Sequence, residues 1–103
     1  RELKLKLVVH AEMNSILAAA KLGIKLNDCT MYIAATNNDG SIWGGPPCSR
    51  CLVEILQTGI TKIVTYNRKQ VPSRWKEDLD FSMSLIDEAK IQYEELEYDW
   101  WQN

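Results

Sequence analysis

At 103 residues, 46% of them hydrophobic, the chain has room for one domain with a modest core and is too short for two. Twelve Lys and Arg against fourteen Asp and Glu leave a net charge of -2, which excludes a coat for nucleic-acid backbone, a role that needs a basic excess. No apolar run approaches the roughly 18 to 20 residues that span a bilayer, and no basic-apolar-small leader stands at the front, so the expectation is a cytoplasmic protein without membrane contact.

Residues 2–9, "ELKLKLVV", alternate Leu3, Leu5 and Leu7 with Glu2, Lys4 and Lys6, the period of an extended segment with one buried face. From Ala11 the period changes. Met13, Ile16, Leu17 and Ala20 recur at helical spacing, and Gly23 is a natural terminator. The single histidine, His10, stands at the start of that helix with Glu12 in its first turn. Taken alone, it is either a satisfied core histidine or a metal ligand.

"CTMYIAA", residues 29–35, is rich in β-branched and aromatic residues and reads as a buried strand, closed by the turn signal "TNNDGS". Ile42 and Trp43 resume extended chain. Gly44, Gly45, Pro46 and Pro47 then force a tight, irregular approach to a helix expected from Cys48 to Thr58, with Leu52, Ile55 and Leu56 inward and Gly59 ending it. "KIVTY", residues 62–66, reads as another strand and "NRKQVPSR" as a polar, cationic loop. A last helix is expected from Trp75 to Ala89, with Leu79, Met83 and Ile86 on one face, followed by "IQYEEL" as an edge strand. The tail "EYDWWQN" is either a frayed end or a place where Trp100 and Trp101 pack on a neighbouring subunit. The alternation of strands and helices implies an α/β fold with parallel strands and crossover helices.

In that arrangement the starts of consecutive crossover helices lie at one edge of the sheet, where α/β proteins place their ligands. His10 opens one such helix; Cys48 and Cys51 open the next. An odd count of three cysteines, two of them in C-x-x-C, suits a reducing compartment and metal ligation. A thioredoxin-like redox pair is the rival, but Gly-Gly-Pro-Pro precedes the motif in place of a strand. Three protein ligands leave a fourth position for a water, which is the catalytic form of a zinc site. The helix N-terminus also favours the thiolates. Glu12, close to the ligand without being one, is placed to handle that water's protons.

"HAE" followed 36 positions after Glu12 by the first cysteine of "PCSRC" resembles the H-x-E and P-C-x-x-C signature of zinc-dependent nucleoside and nucleotide deaminases. The wider stretches "VVHAEMNSILAA", "TMYIAA", "GGPPCSRC" and "QTGITKIVTY" look like deoxycytidylate (dCMP) deaminases of the bacterial and phage type, over roughly residues 7–66. Asn14, after "HAEM", suits that family better than the tRNA adenosine or guanine deaminases. The resemblance implies a three-layer cytidine deaminase-like fold, a central mixed sheet flanked by helices, as one domain over residues 1–103. The family's N-terminal helix and β-hairpin are expected to be missing from this sequence.

The same resemblance implies one zinc ion on His10, Cys48 and Cys51, with Glu12 as general acid and base, taking a proton from the attacking water, passing it to N3 of cytosine, and later protonating the departing amine. The amide of Ala11 would face the pyrimidine carbonyl, and the Pro46 carbonyl would accept from the amino group. The implied reaction is dCMP to dUMP and ammonia, in supply of dTTP precursors. Arg68, Lys69 and Arg74, with Arg50 as a further candidate, are the cations considered for a 5'-phosphate; the alternative is a solvated loop. Tyr66 and Trp75 pack in the core or line the pocket rim, while Trp43 and Cys29 are read as packing. Other readings are a deaminase of cytidine, guanine or tRNA adenosine, or a catalytically silent, zinc-stabilised regulatory subunit, against which Glu12 argues. The family also implies a homo-oligomer, a hexamer in many members, with dCTP and dTTP as possible effectors.

Overall fold

The computed structural model describes residues 10–97. The extended segment expected over residues 2–9 and residues 98–103 of the tail, with Trp100 and Trp101, lie outside the described residues.

Helix α1 (Ala11–Leu22) begins where the sequence period changes. The His10 carbonyl accepts from the Asn14 N–H at 2.9 Å, and Gly23 closes the helix at φ 75°, a left-handed conformation that glycine adopts without a Cβ clash. The inward stripe is Met13, Ile16 and Ala19. Leu17 is instead 52% exposed and Ala20 is exposed. In "ILAAA" apolar residues stand side by side, so spacing alone does not choose between two adjacent stripes; the contact with the next helix does.

The chain continues through β1 (Thr30–Ile33), β2 (Ala35–Thr36) and β3 (Ile42–Trp43), then α2 (Ser49–Leu56), β4 (Lys62–Tyr66), a 3-10 turn (Ser73–Trp75), α3 (Lys76–Ala89) and β5 (Gln92–Leu96). The single strand expected over 29–35 is thus broken at Ala34, where the chain leaves the main sheet to pair with β3 in a small antiparallel ladder, Ala35 opposite Trp43 and Thr36 opposite Ile42. The main sheet runs β1-β4-β5, all parallel, with Met31, Ile63 and Tyr93 aligned in one row and Ile33, Thr65 and Glu95 in another.

These two rows face the helices. Cys51, Ile55 and Ile60 form one buried cluster with Met13, Ile16, Cys29 and Met31 against it; Leu52, Ile63 and Ile86 form another with Ile33, Met83 and Tyr93. Leu52, Ile55 and Ile63 are wholly buried, and burial of such side chains contributes about 1.5–3 kcal/mol each. The described helices all lie on this face; on the other, Tyr32 and Leu96 are 76% and 42% exposed. Among the described residues, no helix is long and apolar enough to cross a membrane.

Candidate functional site

The approach to Cys48 is shaped by the end of β4. Gly44 N–H donates to the Asn67 carbonyl at 3.1 Å, and Gly45 N–H donates to Thr65 Oγ1 at 3.1 Å. A Cβ at Gly44 would collide with the Tyr66 carbonyl, and Gly45 sits at φ 112°, so both positions require glycine. Gly44 to Pro47 are buried in consequence. The double glycine therefore answers first to close contact with a strand, which seats Pro46 and Cys48 on the sheet edge.

Cys48 occupies the N-cap position of α2; its carbonyl accepts from the Leu52 N–H at 2.9 Å, but its side chain caps nothing. Asp78 of α3 does that work: its Oδ2 accepts from the Ser49 N–H at 3.0 Å and its Oδ1 from the Ser49 hydroxyl at 2.7 Å. The Cys48 sulfur is left to turn toward His10. Cys51, almost one turn further on, is 1% exposed.

His10 Nδ1 lies 3.4 Å from Cys48 Sγ and 3.3 Å from Cys51 Sγ, and the ligand atoms of all three residues lie within 4.8 Å of one another. A ring nitrogen has one lone pair and does not accept well from two thiols at once. A shared ion explains both approaches: tetrahedral zinc at ordinary Zn–N and Zn–S lengths holds such atoms roughly 3.5 Å apart. Burial pushes the Cys51 thiol up to about 12, with Cys48 beside it and the carboxylate of Glu12 adding to the effect. A cation is what makes a thiolate favourable in that position. His10, Cys48 and Cys51 thus fit one zinc ion by donor type, spacing and number.

His10, Glu12 and Cys48 also share the wall of a pocket of about 160 Å³, completed by Ile33, Ala34, Ala35, Trp43, Gly44, Gly45, Pro46, Trp75 and Leu79. Glu12 is half-buried there. Of the other residues considered from the sequence, Pro46 lines this pocket. Ala11 lines a neighbouring cavity, Tyr66 another, and Asn14 and Arg74 are exposed on neither wall. Arg50 points outward between the cysteines. Trp43, read from the sequence as packing, stands on the pocket wall together with Trp75. Leu79 and Asp78 were not singled out for the site; the one signal for them is helical phase, which puts Leu79 inward.

A family model described as "Cytidine and deoxycytidylate deaminase zinc-binding region" matches residues 1–67. An "uncharacterized deaminase in luxG 3'region" of Aliivibrio fischeri is 29% identical over 93 residues, 89% of this chain and 54% of its own. The deoxycytidylate deaminases of Enterobacteria phages T2 and T4 are each 35% identical over 65 residues, 60% of this chain and 29% and 28% of theirs. The chain spans about half or less of the length of the curated relatives it matches.

Proposed function

Because the chain belongs to the cytidine and deoxycytidylate deaminase zinc-binding family, we propose that it is a hydrolytic deaminase converting dCMP to dUMP and ammonia. The observation that carries this reading is a cluster of three metal-ligand atoms, on His10, Cys48 and Cys51, of which His10 and Cys48 line a pocket the size of a single ring together with one non-ligand carboxylate, Glu12. The phage relatives' names support the choice of dCMP.

Zinc held by His10, Cys48 and Cys51 supplies the Lewis acidity that makes water a nucleophile near neutral pH. Glu12 takes a proton from the water that attacks C4 of the base and delivers it to N3. It then takes the second proton of that water, now on the C4 hydroxyl, and gives it to the amine as the C4–N bond breaks, so that water and cytosine become uracil and ammonia and the carboxylate is regenerated. Trp43, Trp75, Ile33 and Leu79 give the ring apolar walls and exclude bulk water, which strengthens the carboxylate's interactions. The Pro46 carbonyl, held on the sheet edge by the bonds of Gly44 and Gly45, accepts from the amino group.

The test is turnover of dCMP beside cytidine and dCTP, followed by ammonia release, with Glu12→Ala as control. Turnover of dCMP in preference to the others, lost in the control with zinc retained, supports the reading. Preferential turnover of cytidine, or of no cytosine compound, would sink the substrate.

A further inference from the structure

The ring pocket is too small for a nucleotide. Its 160 Å³ falls below the roughly 300–1,000 Å³ of sites that enclose a whole ligand, so sugar and phosphate must extend into adjoining space. Among the described residues, three neighbouring cavities share residues with it. One of about 420 Å³ shares Glu12, Ile33 and Ala34, and Glu12 is its charged residue; a phosphate is repelled there. A second shares Ile33 and Ala34 and is otherwise walled by Tyr32, Val64, Thr65, Tyr66 and Leu96, which carry no cation. The third, about 350 Å³, shares Leu79 and presents Arg68, Lys69, Ser73 and Lys76 with one acid, Asp80.

We propose that this third cavity seats the phosphate monoester of the substrate, and that Arg68 and Lys76 are the residues by which the protein selects a nucleotide over a nucleoside. The proposal rests on the reading of the ring pocket given above. The wall of the third cavity carries Arg68, Lys69 and Lys76 against Asp80; Arg68 and Lys69 are paired with Glu95 and Glu97, so Lys76 is the cation that brings unmatched charge to a ligand carrying about −1.5 to −2 charges at neutral pH.

Arg68 is set in place before any ligand arrives. Its Nε donates to Glu95 Oε2 at 2.7 Å, and the same oxygen accepts from the Tyr93 hydroxyl at 2.6 Å. Its stem lies along the ring pocket's own wall: a Cβ on Gly45 would come within 3.0 Å of Arg68 Cγ and 3.3 Å of Leu79 Cδ1. The pairing with Glu95 engages one edge of a guanidinium that has five donors, and a fork of this kind suits phosphate oxygens. Lys76 opens α3 and makes no ion pair among the described residues. Lys69 is tied to Glu97 at 3.1 Å and adds its charge from the rim. Arg74, singled out from the sequence, is exposed and lines neither cavity; Lys76, two positions on, takes the place expected for it.

The test compares kcat and KM for dCMP and deoxycytidine in the zinc-loaded protein and in Lys76→Gln and Arg68→Gln. The ratio of kcat/KM for dCMP over deoxycytidine is expected to fall about 10- to 100-fold in each variant, chiefly through KM for dCMP, as for the loss of one hydrogen bond to a charged group. A ratio that stays at the wild-type value, whether or not both absolute rates fall, overturns the proposal. If Arg68→Gln misfolds through its ties to Glu95 and Tyr93, the exposed Lys76→Gln decides. Calorimetric binding of inorganic phosphate is a readout independent of turnover: it is expected to weaken in Lys76→Gln, and equal binding by variant and wild type overturns the assignment. Absence of dCMP turnover in the wild type sinks the substrate reading alone, and the phosphate titration still decides the cavity.

Discussion

Asp78 and Ser49 join two helices next to Cys48: both carboxylate oxygens of Asp78 accept from Ser49, one from its N–H at 3.0 Å and one from its hydroxyl at 2.7 Å. Cys48 is the N-cap residue of α2, but its sulfur faces His10, so the cap that a helix start needs comes from α3. The metal site and the helix end are thereby satisfied by different side chains.

Removing that cap should loosen the cysteine helix. Asp78→Ala is expected to lose about 1–2 kcal/mol of stability and to release zinc more readily to a chelator. A cycle with Ser49→Ala isolates the hydroxyl contact alone, because the Ser49 N–H still donates to Asp78 in that variant; the double variant should cost little more than Asp78→Ala. Wild-type zinc retention in Asp78→Ala would show that Asp78 does not position the ligands.

Glu12→Gln keeps the size of the side chain and removes its basicity. The rate of deamination should fall by at least about 10²- to 10⁴-fold, while zinc content by metal analysis stays at one per chain. A variant with near wild-type kcat would remove Glu12 from the chemistry.

Zinc should also stabilise the fold, because its ligands come from two helices that otherwise meet through side-chain packing. Chelation is expected to lower the midpoint of thermal unfolding, and Cys51→Ser to lower it as well and to abolish the response to added zinc. An unfolding midpoint indifferent to zinc would contradict His10, Cys48 and Cys51 as a metal site.

Gly44→Ala tests the close approach of the double glycine to β4. The added methyl would meet the Tyr66 carbonyl and Thr65 Oγ1, so the strand and the approach to Cys48 must separate. A loss of about 1–3 kcal/mol is expected from overpacking alone, read by urea unfolding. Full stability in this variant would mean that the contact is not as tight as the structure shows.

Ser82→Ala should go the other way. The Ser82 hydroxyl is wholly buried and has no hydrogen-bond partner among the described residues. An unsatisfied buried hydroxyl costs about 1–3 kcal/mol, and alanine is the better helix former at that place in α3. A gain of the order of 1 kcal/mol in denaturant unfolding is expected; a loss would mean that the hydroxyl has a partner in solution.

The sequence by itself determined the elements and the metal ligands, because both are local. A change of hydrophobic period marks the start of α1, and two cysteines three apart at a helix start reach one point in space by covalent geometry alone. His10 needed "PPCSRC" to become a ligand, since a single imidazole has no partner that spacing can name. Only the tertiary structure decided which of two apolar stripes of α1 turns inward, that the strand breaks at Ala34, and that Trp43 and Trp75 wall the ring pocket. It alone put Asp78 on Ser49, and Lys76, rather than Arg74, on the wall of one cavity with Arg68. The reason is common to all of these: where a side chain points at a loop or a helix end depends on contacts between segments far apart in the chain, and no local period records them.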